Sequence, residues 1–214
     1  MREIDVSRLI EKLRRDMESV VEPVDWALVL LYAFSGRAPS KLHVQKALFV
    51  ASRYIDDLRE ALEFKAYRMG PWSEEVEDAL EIAALRGMVV TSRDGVVLTE
   101  RGRAVAELVW QRLSDRDREV LGKTASFLGS MSEDELLLYI YIVYGYSEKS
   151  DIINRLLRRR KELAVSMLGK DLISVELAAR IAGMTLKDFI SYLREKGVKP
   201  YVAEANDIEE AEKL

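Results

Sequence analysis

Residues 173–198 read ISVELAARIAGMTLKDFISYLREKGV, and their spacing is typical of a helix-turn-helix. Ser174 and Thr185 can each accept a hydrogen bond from a free N–H group at the start of a helix, so each predicts an N-cap. Gly183 lies between the two apolar-periodic segments, where a tight turn needs a residue that adopts positive φ without strain. We therefore predict two short helices, one on each side of this glycine.

The second of these helices is the candidate recognition helix. Polar side chains occupy the face opposite its apolar residues, and such side chains can contact base edges and phosphates in a major groove. The candidate DNA contacts on it are Thr185, Lys187, Ser191 and Arg194. The same spacing also fits a helical hairpin that only packs against its neighbours, because a helix-turn-helix is a packing motif as well as a binding motif.

A basic cluster precedes the helix-turn-helix by about a dozen residues. It lies in a segment, residues 151–171, that we predict to be one helix. Clusters of this kind are either solvated helix faces or phosphate contacts, and the sequence leaves both interpretations open. The candidate phosphate contacts are Arg158, Arg159, Arg160 and Lys161.

Composition excludes several classes of site. The chain has 214 residues, of which 49% are hydrophobic and 33% charged, so it can form one large or two small globular domains. It has no cysteine and a single histidine, His43, which excludes disulfides, thiolate zinc sites and histidine-rich metal sites. We predict no cofactor and no enzymatic activity, and we expect His43 to lie in the core or on a helix surface.

Charge is distributed unevenly along the chain. The net charge is −5 over residues 1–147, +5 over residues 148–203 and −4 over residues 204–214. The basic block contains the helix-turn-helix, and a local basic region is the electrostatic footprint of a DNA-binding module. We predict a winged-helix-like domain with flanking helices over 1–147, a helix-turn-helix domain over 148–203 and an acidic tail over 204–214, with 147–150 as the linker.

The N-terminal part has the element order of a winged helix, in a mostly α fold with a small β wing. Helices are predicted from Pro23 and over residues 40–58, followed by a short strand that ends at Gly70-Pro71 and a helix over 74–86. A hairpin follows, because Asp-Gly separates two β-branched runs, and Arg93 lies at its tip as a candidate DNA contact.

The helix over 74–86 occupies the usual recognition position of a winged helix. It carries five carboxylates and one arginine, so the phosphate backbone would repel it. We therefore interpret this part as a scaffold, a dimerisation unit or a protein-binding surface. A metal site on the same carboxylates would need ligands from elsewhere in the chain.

A second set of motif residues lies within residues 25–147. They are Lys41-Leu42, Gln45-Lys46, Leu48-Phe49, Phe64, Tyr67, Gly70-Pro71-Trp72-Ser73 and Arg86-Gly87. With these residues, this part of the chain resembles the Panacea and YwgA-like domains. The resemblance implies a winged-helix-like fold, a role in toxin neutralisation and no catalysis.

The segment from Leu163 to Val202 carries a further motif. Its residues are Ser174, Ala178-Ala179, Ala182-Gly183-Met184, Thr185, Phe189, Leu193, Gly197 and Val198. With these residues the segment resembles a second family, small prokaryotic helix-turn-helix antitoxins encoded beside PIN-domain-like toxins. The resemblance implies DNA binding and a toxin-like protein partner. In that family the module forms most of a small protein, whereas here it follows a longer N-terminal part.

The combined expectation is a prokaryotic DNA-binding transcriptional regulator or antitoxin that binds double-stranded DNA as a homodimer. The alternative is an antitoxin or adaptor module that binds protein and does not bind DNA. The longest apolar run, Trp26 to Phe34, is too short to span a bilayer and no signal peptide is visible, so we expect a cytoplasmic protein with no membrane partner. Many arginines and glutamates with no cysteine suggest a thermophile.

Overall fold

The structure is a computed structural model that describes residues 21–198, and the predicted acidic tail lies outside this range. The described chain is mostly helical, with two small antiparallel sheets. It divides into two compact units, the first formed by residues 21–64 and 73–125 and the second by residues 65–72 and 126–198. The predicted domain boundary at residue 147 therefore lies inside the second unit.

The bounds of the elements follow the chain order. The helices are α1 Pro23–Ala33, α2 Lys41–Ala51, α3 Asp56–Ala61, α4 Glu74–Leu85, α5 Glu100–Arg112, α6 Asp115–Gly129, α7 Glu133–Tyr144, α8 Ile153–Arg158, α9 Arg160–Gly169, α10 Val175–Ala182 and α11 Leu186–Glu195. The strands are β1 Arg37–Ala38, β2 Lys65–Tyr67, β3 Gly70–Trp72, β4 Val89–Ser92 and β5 Gly95–Leu98. Across residues 21–198, no helix combines the length and the apolar character that crossing a bilayer requires.

Helix α1 is the centre of the first unit. Its residues from Trp26 to Leu31 are all buried, as expected for a helix that is apolar nearly all round. It packs against α4 and α5. The predicted buried central helix is confirmed.

The β4–β5 hairpin was predicted from the Asp-Gly dipeptide, and the structure confirms it. Ser92 pairs with Gly95 across a turn formed by Arg93 and Asp94. Gly95 has a φ of 124°, and a Cβ atom at this position would collide with the carbonyl oxygen of Ala38. The turn therefore requires glycine, because β1 pairs with the other side of β5 and completes a sheet of order β1-β5-β4.

The single helix predicted over residues 40–58 is wrong, because α2 ends at Ala51 and α3 begins at Asp56. The Ser52 hydroxyl donates to the carbonyl oxygen of Phe49 at 2.8 Å, and Ile55 is extended, with φ −116° and ψ 113°. Ile55 and Leu58 are both buried. The break redirects the chain so that both apolar side chains reach the core.

The strand predicted to end at Gly70-Pro71 is also wrong. It ends at Tyr67, and Gly70 and Pro71 belong to a second strand, β3. Lys65 pairs with Trp72, and Tyr67 pairs with Gly70, in a two-stranded sheet. Proline is tolerated here since each strand of a two-stranded sheet has a free edge, where a missing N–H costs no ladder hydrogen bond.

In the second unit, α7 follows the last residues of α6, 126–129. Ser132 and Glu135 form the predicted capping box, with the Ser132 N–H donating to Glu135 Oε2 at 2.7 Å. Residues 147–150, the predicted linker, form turns within this unit, and the Ser150 hydroxyl donates to Tyr141 Oη at 2.9 Å. The single helix predicted over 151–171 is interrupted at Arg159, which separates α8 from α9.

Candidate nucleic-acid interface

Two short helices joined by a tight turn at Gly183 are present where the sequence predicts them. The Ser174 hydroxyl accepts a hydrogen bond from the Leu177 N–H at 3.3 Å, and the Thr185 hydroxyl accepts one from the Asp188 N–H at 3.2 Å. Gly183 ends α10 in the left-handed conformation, with a φ of 68°. Both N-caps and the turn glycine are therefore confirmed.

Helices α9, α10 and α11 form a three-helix arrangement. Helix α9 packs against α10, and α10 packs against α11. Small buried residues Ala178 and Ala179 allow this close approach, and Phe189 and Leu193 of α11 are fully buried. Because α11 directs these apolar residues inward, its polar face is directed outward.

The exposed face of α11 carries Lys187, Ser191 and Arg194. Neither Lys187 nor Arg194 forms an ion pair with another residue of the described chain. The Ser191 hydroxyl donates to the Lys187 carbonyl oxygen at 3.1 Å, and the Thr185 hydroxyl donates to Asp188 Oδ2 at 2.7 Å. Both hydroxyl protons are therefore used internally, so each oxygen is available to a ligand as an acceptor.

The basic cluster separates into two groups. Arg159 forms ion pairs with Asp134 at 2.5 Å and with Glu162 at 2.6 Å. Arg160 Nε donates to the Ile181 carbonyl oxygen at 2.7 Å, and its guanidinium covers Gly183. These two arginines support the helix packing and the turn.

Arg158 and Lys161, the other two members of the cluster, are exposed. Neither has a carboxylate partner within residues 21–198. These are the members that remain available to a phosphate.

Two residues near this face, Tyr192 and Lys196, were not predicted from the sequence. Lys161 Nζ lies 5.4 Å from the centroid of the Tyr192 ring, and Lys196 Nζ lies 5.8 Å from the same centroid. Tyr192 and Lys196 are four residues apart, a spacing that places side chains together on a helix and could have predicted their contact. Lys161 comes from a different helix, so no local pattern indicates it.

Arg93, the remaining candidate, belongs to the first unit and is exposed at the tip of the β4–β5 hairpin. The acidic helix α4 of the same unit has Ser73 as its N-cap, and Glu77 pairs with Lys41 at 2.5 Å. The carboxylates of Glu74, Asp78 and Glu81 are exposed. The surface of α4 is therefore acidic, as the sequence indicates.

Buried polar residues in the first unit fix the start of α4. Gln45 Nε2 donates to the Ser73 carbonyl oxygen at 2.9 Å, and the Ser73 N–H donates to Gln45 Oε1 at 3.0 Å.

His43 is buried, with Nδ1 2.9 Å from the Ser40 hydroxyl. Lys46 is 1% exposed, and desolvation by burial lowers its pKa to about 7.

Comparisons with known proteins identify no relative. No family model matches the chain, and no curated protein or solved structure is significantly similar to it. Among the described residues, no group of three or more histidine, aspartate or glutamate side chains is placed to hold a metal ion.

Proposed function

We propose that the three-helix arrangement α9–α11 binds double-stranded DNA, with α11 in the major groove, and that the protein is a transcriptional regulator or antitoxin. The observation that carries the proposal is the outward face of α11. Lys187 and Arg194 are exposed there, on a helix whose opposite face is fixed by Phe189 and Leu193. Cations without a carboxylate partner in the described chain can contact phosphates or guanine edges at no cost in broken ion pairs.

We propose dimerisation or partner binding for the first unit, in a winged-helix-like arrangement. The succession α1, β1, α2, α3, α4 and the β4–β5 hairpin supports this arrangement, as does the pairing of β1 with β5. A dimer would supply two recognition helices to half-sites about 34 Å apart, which offsets the few base contacts of one short helix.

The first experiment measures DNA binding by fluorescence anisotropy, with a labelled duplex from the region upstream of the protein's own gene. We expect the wild-type protein to bind, and we expect the Lys187→Ala/Arg194→Ala variant to bind at least about tenfold more weakly. Lys149→Ala is the matched control, because Lys149 is an exposed lysine of the same unit. Equal affinity of the wild type and the double variant would show that α11 is not the contact.

A protein-interaction module that does not bind DNA is the second candidate function. Helix α4 favours it, because this helix exposes apolar Ile82 and Leu85, the latter 88% exposed, beside acidic Glu74, Asp78 and Glu81. Large exposed apolar side chains are typical of protein interfaces. Co-purification with a toxin-like protein encoded by a neighbouring gene, together with no binding to any duplex, would select this function.

A further inference from the structure

Tyr192 carries two ammonium groups on one aromatic ring. Lys161 of α9 and Lys196 at the end of α11 place Nζ 5.4 Å and 5.8 Å from the ring centroid. The ring of Tyr192 is held in turn by Phe189, whose ring centroid lies 6.3 Å away and whose side chain is fully buried. Core packing therefore fixes the platform on which the two lysines rest. We call Lys161, Tyr192 and Lys196 the tyrosine platform.

Both ammonium groups keep donors available. An ammonium group has several N–H donors, and contact with an aromatic face leaves the others directed to solvent. Neither Lys161 nor Lys196 has a carboxylate partner in residues 21–198, whereas Lys170 of the same unit pairs with Glu135 at 2.7 Å. The platform therefore presents two ammonium groups, 5.4 Å and 5.8 Å from one ring centroid, that have no carboxylate partner in residues 21–198, and an anion would neutralise them.

We propose that the tyrosine platform anchors the phosphate backbone of the DNA that α11 reads. This proposal rests on the proposed function. The platform joins α9 to α11, so a phosphate bound there would fix the register of α11 on the duplex. Lysine is a compact point charge that suits phosphate oxygens and carries little base preference, so the platform adds affinity without sequence discrimination.

Tyr192 is a positioning residue in this scheme. Its ring contacts two long, flexible side chains, and this restraint lowers the entropy that they lose when a phosphate binds. Phenylalanine provides the same aromatic face, so Tyr192→Phe should preserve the anchor. Leucine keeps the apolar contact with Phe189 and removes the aromatic face, so Tyr192→Leu should release both lysines.

The test is the salt dependence of DNA affinity, measured with the full chain by fluorescence anisotropy on a specific duplex and a scrambled duplex. Each lost phosphate contact lowers the slope of log K against log salt concentration by about 0.9. We expect Lys161→Ala/Lys196→Ala to lower this slope by about one to two and to weaken binding to both duplexes equally. We expect Tyr192→Leu to lower it in the same direction with no change in protein charge, and Tyr192→Phe and Lys149→Ala to leave it unchanged.

Different outcomes separate this proposal from the proposed function. If wild-type protein binds DNA and Lys187→Ala/Arg194→Ala weakens binding, but Lys161→Ala/Lys196→Ala keeps the full slope, the anchor is refuted and DNA binding by α11 stands. If the wild type binds no duplex, both are refuted. If Tyr192→Leu fails to fold, Lys161→Arg/Lys196→Arg tests the anchor instead. This variant should restore the salt slope that Lys161→Ala/Lys196→Ala loses. Binding of a glutamate-rich peptide through these lysines, with an unchanged DNA slope, would also overturn the proposal.

Discussion

Replacing Lys46 by methionine tests how a buried ammonium group affects the stability of the first unit. Lys46 is 1% exposed, and desolvation lowers its pKa to about 7 from an ordinary value of 10.5. Methionine keeps the length and apolar character of the lysine stem and removes the titrating group. The informative quantity is the pH dependence of the stability difference between wild type and variant, because all other titrating groups are shared.

The direction of this pH dependence follows from the protons that the folded and unfolded chains bind. Between about pH 7 and pH 10.5 the unfolded chain holds a proton on Lys46 that the folded chain largely releases, so folding becomes more favourable as pH rises. Below pH 7 both states are protonated, and the penalty for burying the charge is constant. Each pH unit inside the window contributes at most about 1.4 kcal/mol, so we expect wild-type stability to rise by about 2 kcal/mol from pH 7 to pH 9 relative to Lys46→Met.

The assay is urea unfolding at pH 7, 8 and 9, followed by tryptophan fluorescence, since Trp26 and Trp110 both lie in the first unit. Lys123→Met is the matched control, because Lys123 is an exposed lysine of the same unit that pairs with Glu119 at 2.6 Å. Its stability should run parallel to that of the wild type. Parallel profiles for Lys46→Met and wild type would refute the depressed pKa of Lys46.

Three further predictions concern the start of α4, the turn at Gly183 and the acidic tail. Gln45→Ala should lower the free energy of unfolding by about 2–4 kcal/mol in urea titrations, because it leaves the buried N–H and carbonyl groups of Ser73 without their partner; an unchanged midpoint would contradict this. Gly183→Ala should cost at least about 1–2 kcal/mol in the same assay, since alanine is strained at positive φ and its Cβ would displace Arg160; a stabilised variant would refute it. Deleting residues 204–214 removes a net charge of −4 and should raise affinity for a scrambled duplex at low salt, with the gain fading at high salt; an equal gain at both salt concentrations would exclude an electrostatic cause.

Local signals predicted the helix-turn-helix well. Ser174, Gly183 and Thr185 act on the backbone within a few residues of themselves, so their caps and turn are legible from the sequence. The Asp-Gly hairpin is equally local. The break after Ala51 was not predictable in this way, because it depends on burying Ile55 and Leu58 in a core built from distant segments.

Side-chain partners were harder to predict than the backbone. The basic cluster looked uniform in the sequence, yet Arg159 pairs with Asp134, and Arg160 reaches carbonyl groups at the end of α10. Both contacts join residues that lie more than twenty positions apart in the sequence, so only the fold determines them. The contact between Lys161 and Tyr192 has the same origin.

The most direct test of DNA binding by α11 is a chemical-shift titration of the ¹⁵N-labelled protein with a duplex of about 30 base pairs, long enough for two half-sites. We expect the largest shifts at the amides of residues 185–196, with the amides of α4 unchanged. Shifts confined to α4 or to the β4–β5 hairpin, or no shifts at all at low salt, would contradict the assignment of α11 as the recognition helix.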